Sequence, residues 1–139
     1  MKKPELLAPG GSLEKLKTAI DYGADAVYMG ASRFGARQAA GNSLDDIARV
    51  AEYAHRYGAR LHCTLNTVLF DDELQDAERM ARELIAAGAD ALIVQDMALR
   101  EMNLPIEMHA STQVGNTTPE GVKFLEECGF ARIILERSL

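Results

Sequence analysis

The sequence contains no tryptophan and only two cysteines among its 139 residues. Cys63 and Cys128 lie far apart in the chain, without a CxxC or Cys/His spacing, so we expect neither a disulfide framework nor a zinc site. No apolar run approaches the roughly 18 residues of a membrane span, and Leu6-Leu7-Ala8 is too short for the core of a signal peptide. We therefore expect a cytoplasmic protein with no membrane partner.

Basic residues are in the minority. Lysine and arginine number 15 against 21 aspartates and glutamates, which gives a formal net charge of −6. Proteins that bind nucleic acids on their own usually carry a basic face, and this composition argues against one. It does not exclude RNA as a substrate, because a basic patch can be local. Hydrophobic residues make up 47% of the chain, enough for a substantial core.

One pattern recurs along the chain: an amphipathic helix, a glycine, then a short apolar run. The four glycines are Gly23, Gly58, Gly88 and Gly129. Glycine at this place is typical of the left-handed residue that ends a helix. The run Ala91-Leu92-Ile93-Val94 is typical of a parallel strand buried on both faces. Two further strands are predicted over 5–8 and 106–111, which brings the number of strands to six.

Residues that favour helix starts precede each helical segment. The predicted helices cover 13–22, 44–57, 73–87 and 119–128, with a short helix or turn near 97–102. Ser12, Ser43 and Thr118 are the predicted N-caps of the first, second and last of these, and Asp71 or Asp72 is predicted to start the third.

Strict alternation of strand and helix leads either to an open doubly wound sheet or to a (βα)8 barrel. The segment Pro9-Gly10-Gly11-Ser12 lacks the GxGxxG spacing of dinucleotide-binding sheets, which favours the barrel. We predict an α/β fold, a parallel (βα) barrel of TIM type, with residues 1–139 as a single partial domain of about six of the eight units. The remaining strands are expected to lie outside this chain, and open edges at the first and sixth strands are expected to promote self-association.

The loops that follow the strands form the active site in barrels of this kind. The candidate substrate-binding residues on these loops are Gly10, Gly11, Ser12, Arg33, Arg37, Gln95, Asp96, Ser111, Glu136 and Arg137. Backbone N–H groups at Gly10-Gly11 favour an anion, and Arg33 and Arg37 favour phosphate. The structural alternatives are a solvated loop for the arginines and a helix cap for Asp96.

The candidate catalytic residues are His109, Asn66 and Gln113, predicted to form one cluster at the barrel mouth. Period-2 alternation places polar side chains on one face of the third strand and one face of the fifth, which predicts a polar lumen; these are His62, Thr64, Asn66, Glu107, His109 and Ser111. Histidine moves protons near neutral pH and amides orient a base. The alternative is that His109 only satisfies Glu107 or Glu136 inside the barrel.

Six segments, in order along the chain, resemble the N-terminal region of the peptidase U32 family. They are 5–12, 23–28, 33–37, 64–67, 90–96 and 109–113. The stretch from Phe34 to Gln113 is most similar to the branch that hydroxylates cytidine in ribosomal RNA. The resemblance implies RNA base hydroxylation, with RNA and a small-molecule co-substrate as partners.

The same resemblance implies a 4Fe-4S cluster held by four cysteines. Neither Cys63 nor Cys128 corresponds to that signature, so we expect no cofactor and no metal ligand in this chain, which alone should be inactive, and a cluster in the full-length protein. The family name leaves a collagenase-like peptidase as an alternative, and a non-catalytic structural fragment as a second. Against the peptidase, Ser111 and His109 are an i, i+2 pair about 7 Å apart on one strand face, and no HExxH motif is present.

Overall fold

A computed structural model describes residues 1–36 and 42–139 of the chain. Within these ranges the chain forms six strands and five α-helices. The strands are β1 (Leu7–Pro9), β2 (Ala26–Gly30), β3 (Arg60–Leu65), β4 (Ala91–Val94), β5 (Glu107–Ala110) and β6 (Arg132–Ile133). The helices are α1 (Leu13–Asp21), α2 (Leu44–Arg56), α3 (Leu74–Ala87), α4 (Met97–Glu101) and α5 (Pro119–Glu127).

Three helices begin at the predicted caps. The side chains of Ser12, Ser43 and Thr118 each accept a hydrogen bond from the backbone N–H three residues later, which satisfies a donor that the first turn leaves free. The start of α3 differs from the prediction. A 3₁₀ turn over Asp71–Glu73 precedes α3, and the N-cap residue is Glu73, whose carboxylate accepts from Phe70 N at 3.0 Å.

The four predicted glycines all adopt the left-handed conformation, with φ between 72° and 109°. Gly88, after α3, has a second constraint, because a Cβ at this position would lie 2.8 Å from the Cβ of Ala51 on α2. The glycine therefore both ends α3 and allows it to approach α2 closely.

The six strands form one parallel sheet in sequence order, β1-β2-β3-β4-β5-β6. The sheet curls into a half-barrel, which confirms the predicted fold class. Its two edges in the described part of the chain are β1 and β6, and side chains link them across the lumen: Arg132 Nη1 donates to Glu5 Oε1 at 2.6 Å.

Alternation along β3 separates the apolar core from the lumen. Leu61, Cys63 and Leu65 are at most 1% exposed and belong to the core that the helices cover. Thr64 and Asn66, on the opposite face, line the lumen cavity. The predicted polar lumen is therefore confirmed for this strand. None of the helices in the described ranges is long and apolar enough to span a bilayer.

Candidate functional site

A cavity of about 770 Å³ opens where the strands of the half-barrel end. The chain contributes to its wall just after β1, β2, β3, β5 and β6, as expected for loops at the carboxyl ends of barrel strands. The lining residues at these ends include Gly10, Gly11, Gly30, Gly35, Ala36, Asn66, Ser111, Thr112, Gln113, Glu136 and Arg137.

The structure brings together seven of the residues predicted from the sequence. Gly10, Gly11, Asn66, Ser111, Gln113, Glu136 and Arg137 line the cavity. Ser12, Arg33, Gln95, Asp96 and His109 are not among its lining residues. Arg37 lies outside the described residues.

Asn66 and Ser111 join the ends of β3 and β5. Asn66 Nδ2 donates to Ser111 Oγ at 3.5 Å, and Asn66 Oδ1 accepts from Ala36 N at 2.9 Å. Ser111 Oγ also accepts from Gln113 N at 3.2 Å. The three loops after β2, β3 and β5 are thereby held to one another, which fixes this side of the cavity.

The sequence did not indicate Asn116, a buried residue that supports the cavity from behind. Its Nδ2 donates to Ser111 O at 2.9 Å and to Ile134 O at 2.7 Å. The amide therefore connects the end of β5 to the chain after β6. Asparagine in a Gly-Asn loop carries no pattern that distinguishes this role from an ordinary turn.

Three predicted binding residues make contacts that shape the loops. Asp96 caps α4: its carboxylate oxygens accept from Ala98 N and Leu69 N, each at 2.9 Å. Gln95 Nε2 donates to Gln113 O at 3.1 Å, and Ser12 caps α1.

Arg33 also has a partner in the structure. Its Nη1 lies 3.3 Å from Asp76 Oδ2, and its guanidinium lies 4.6 Å from the ring centroid of Phe34. The side chain remains 54% exposed.

His109 does not join Asn66 and Gln113 at the mouth. Its side chain is fully buried, and Nε2 lies 2.6 Å from Glu107 Oε1. The contact matches the structural alternative that the sequence left open. It also shows that an i, i+2 pair is within hydrogen-bond reach when one side chain is as long as glutamate. The catalytic role of His109 stays a prediction.

His109 belongs to a charged layer that we call the lumen floor, formed by Glu5, Arg60, His62, Glu107, His109 and Arg132. Arg60 Nη2 lies 3.2 Å from Glu107 Oε2, and the Glu5–Arg132 pair lies on the same layer. The His62 and His109 rings meet edge to face, with centroids 4.8 Å apart. Arg60, Arg132 and Glu5 were not singled out by the sequence, although Arg60 alternates with His62 and Thr64.

The floor keeps its histidines neutral and its carboxylates charged. Burial lowers the pKa of His62 to about 4, with the nearby His109 as the second cause, and burial also lowers the pKa of His109. The hydrogen bond from Arg132 lowers the pKa of Glu5, and the hydrogen bond from His109 lowers that of Glu107. At neutral pH two carboxylates therefore balance two guanidiniums around neutral imidazoles.

The cavity has further lining residues that sequence reasoning missed, among them Lys15, Tyr28 and Thr64. Lys15 lies in the first turn of α1, the helix that follows the Gly10-Gly11 turn. Tyr28 lies on β2 in register with His62. A signal for Tyr28 was present, because it is the polar-tipped residue of the otherwise apolar run 26–29.

Neither cysteine lines the cavity. Cys63 is fully buried, and burial raises the pKa of its thiol to about 12. Cys128 lies at the C-terminal end of α5. Among the residues the structure describes, no group of three or more His, Cys, Asp or Glu side chains is arranged to hold a metal ion.

The sequence profile of peptidase family U32 matches residues 11–139. The chain is 52% identical over 136 residues to the 23S rRNA 5-hydroxycytidine C2501 synthase of Escherichia coli, covering 97% of this chain and 21% of that protein. It is 38% identical over 141 residues to tRNA hydroxylation protein P1 of Bacillus subtilis, covering 98% of this chain and 33% of that protein. The chain thus spans a third or less of the length of these relatives.

Solved structures support the fold. The structure of a U32 peptidase superposes with a TM-score of 0.74 at 14% identity, covering all of this chain and 62% of that one. Phosphonopyruvate hydrolase superposes with a TM-score of 0.64 at 15% identity, covering 96% of this chain and 54% of that one. At these identities the likeness concerns the barrel alone.

Proposed function

The chain belongs to peptidase family U32, and we propose that it forms the N-terminal barrel portion of an enzyme that hydroxylates a cytidine base of ribosomal RNA. The observation that carries the proposal is the 52% identity, along nearly the whole chain, with a 23S rRNA 5-hydroxycytidine synthase. The tRNA hydroxylation protein P1 of Bacillus subtilis supports the same class of reaction.

The cavity is suited to such a substrate. Its volume of about 770 Å³ falls within the range of roughly 300–1,000 Å³ typical of small-molecule sites. Its wall carries the amide of Gln113, the hydroxyls of Ser111 and Thr64 and the backbone of Gly10 and Gly11. These groups supply both donors and acceptors, as the edge of a base requires.

The geometry of the described residues argues against a serine or cysteine peptidase, the alternative suggested by the family name. A serine peptidase needs a base hydrogen-bonded to its nucleophile. Ser111 Oγ instead bonds Asn66 and Gln113, while His109 bonds Glu107. The thiol of Cys63 is buried, and its raised pKa keeps it protonated near neutral pH.

The residues of this chain do not fit an iron–sulfur cluster, which the family resemblance implies. A 4Fe-4S cluster is held by four cysteine thiolates. Here Cys63 is directed into the core under the helices, and Cys128 ends a helix. We propose that the cluster is held by other residues of the full-length protein.

RNA is the proposed partner, and we propose that Arg33 and Arg37 contact its phosphates. The existing Arg33–Asp76 pair is exposed, and such pairs contribute about 0–1 kcal/mol, so a phosphate can replace the carboxylate at small cost.

A small-molecule co-substrate is proposed for the cavity, and an RNA substrate is consistent with a cytoplasmic location. For this chain by itself, we propose that the open edges of β1 and β6 support self-association.

The test is complementation. A full-length protein carrying this chain is expressed in Escherichia coli lacking its 23S rRNA 5-hydroxycytidine synthase, and rRNA nucleosides are analysed by mass spectrometry. We expect cytidine with one added oxygen atom to reappear. A matched variant in which Ser111 and Gln113 are both alanine should fold but restore little of it. Unmodified rRNA with the soluble wild-type protein would contradict the proposal.

A further inference from the structure

Tyr28 is the one aromatic side chain among the cavity-lining residues that the structure describes. It lies in the middle of β2, with its Cα in register with Pro9 of β1 and His62 of β3. The side chain is half-buried and does not belong to the hydrophobic core under the helices. Tyr28 is therefore partly covered by the barrel and partly accessible from the cavity.

The cavity wall beyond Tyr28 carries small residues. Gly30 is the next residue on the lumen face of β2, and Gly35 and Ala36 follow on the loop. A Cβ at Gly30 would lie 3.1 Å from Thr64 Oγ1, and one at Gly35 would lie 3.6 Å from the same atom. Larger residues at these glycines would narrow the path from the mouth to Tyr28. The glycines thus leave a passage whose end is an aromatic ring.

Polar groups that have no partner in the described part of the chain border this passage. Thr64 Oγ1 and the side-chain amide of Gln113 line the cavity but make none of the side-chain hydrogen bonds seen in residues 1–36 and 42–139. Asn66 and Ser111, in contrast, are already bonded to each other. A ring face with a nearby free hydroxyl and free amide is the combination that binds a nucleobase, by stacking on its face and hydrogen bonding along its edge.

We propose that Tyr28 is the platform on which a single pyrimidine base stacks after it is turned out of the RNA into the cavity, with Thr64 and Gln113 contacting its edge. The inference rests on the proposed function for the identity of the substrate. Enzymes that modify a base inside folded RNA must expose it, and stacking on an aromatic ring offsets part of the lost base stacking. Base binding at Tyr28 requires no chemistry, so it can be measured separately from hydroxylation.

The experiment titrates cytidine into the chain and follows the ring resonances of its four tyrosines by NMR. We expect the Tyr28 resonances to shift and those of Tyr57, an exposed residue beside α2, to stay in place. Stacking on one aromatic ring is worth a five- to roughly hundredfold change in affinity. Tyr28→Leu should weaken cytidine binding within that range, whereas Tyr28→Phe, which retains the ring, and the matched control Tyr57→Leu should change it less than about twofold.

The outcomes separate this inference from the proposed function. Tyr28-dependent cytidine binding without hydroxylation by the full-length protein would support the platform and remove the proposed reaction. Hydroxylation with an unchanged KM for RNA in Tyr28→Leu would overturn the platform and leave the reaction standing. If Tyr28→Leu does not fold, the wild-type titration decides, because cytidine that leaves the Tyr28 resonances unmoved overturns the inference.

Discussion

The lumen floor and the cavity mouth are formed by consecutive layers of the same strands, but their polar side chains have different surroundings. On the floor, Glu107 bonds both Arg60 and His109, and Glu5 bonds Arg132. At the mouth, Gln113 is exposed and its side-chain amide faces the cavity. Polar groups that are paired inside the barrel stabilise a fold, while open ones are available to a ligand. Four predictions test this division, from the largest expected effect to the smallest.

Acidification should destabilise the protein through the floor. Native His62 stays neutral down to about pH 4, whereas an unfolded histidine takes up a proton near pH 6.5. Between these values the unfolded state binds more protons, so the free energy of unfolding falls as the pH falls. By pH 4, protonation of His62 lowers the free energy of unfolding by about 3 kcal/mol. The lowered pKa of His109 acts in the same direction. Urea unfolding at a series of pH values measures it.

The control for the pH experiment is His62→Phe. The ring nitrogens of His62 have no hydrogen-bond partner among residues 1–36 and 42–139, so phenylalanine removes the titrating group without orphaning another of their polar atoms. The pH dependence between 6.5 and 4.5 should become shallower in this variant. An equal slope in both proteins would show that His62 is not the source. Below about pH 4.5 the lowered pKa values of Glu5 and Glu107 add a further loss in both proteins.

Replacing His109 should lower stability before it lowers activity. His109→Gln removes the 2.6 Å contact with Glu107 inside the barrel, and we expect a loss of about 1–3 kcal/mol in the free energy of unfolding. The matched control is His55→Gln, because His55 makes a similar contact with Asp90 on the surface, where the loss should stay below about 1 kcal/mol. Hydroxylation abolished at an unchanged melting temperature would instead support the catalytic role predicted from the sequence.

Asn66 both holds neighbouring loops together and lines the cavity. Asn66→Ala removes the acceptor of Ala36 N and the donor to Ser111, both partly exposed, so we expect a stability loss of about 1 kcal/mol. Asn66→Asp retains the acceptor and should recover the stability that depends on Ala36. If the amide orients the substrate, hydroxylation should fall in both variants. Full activity in Asn66→Asp would restrict Asn66 to holding the loop.

Gln113 should matter least for stability. Its side chain makes no hydrogen bond in the described part of the chain, so Gln113→Ala should change the free energy of unfolding by less than about 0.5 kcal/mol. Cytidine binding should nevertheless weaken, which isothermal titration calorimetry measures. A stability loss as large as that of His109→Gln would remove the distinction between floor and mouth.

The local features of the fold could be predicted from the sequence. Ser12, Ser43 and Thr118 cap helices because their partners lie three residues away in the same turn. Gly88 ends α3 because few other residues adopt its φ of 109°. The predicted start of α3 was wrong because three acidic residues in a row all suit a first turn, and the chain first forms a 3₁₀ turn over Asp71–Glu73.

The location of the candidate site could be predicted from the sequence, but the full set of residues that line it could not. Strand ends identified the mouth, and Asn66, Ser111 and Gln113 line it. The expectation that residues at strand ends line the site also included Asp96, although its two carboxylate oxygens accept hydrogen bonds from Leu69 N and Ala98 N. It missed Tyr28, which lines the cavity although it lies within its strand and not at the strand's end.

The sequence by itself determined which residues form strands and helices and which face of each strand is polar, since capping and alternation depend on neighbours along the chain. Tertiary structure decided which polar groups neutralise one another. Glu5 and Arg132 are 127 residues apart, and only the curvature of the sheet brings them within 2.6 Å. His109 had two glutamates as candidate partners, and the structure pairs it with Glu107, two residues earlier on the same strand. Charge pairing acts over a few ångströms, so a pair such as Glu5–Arg132 follows the curvature of the half-barrel and not the order of residues.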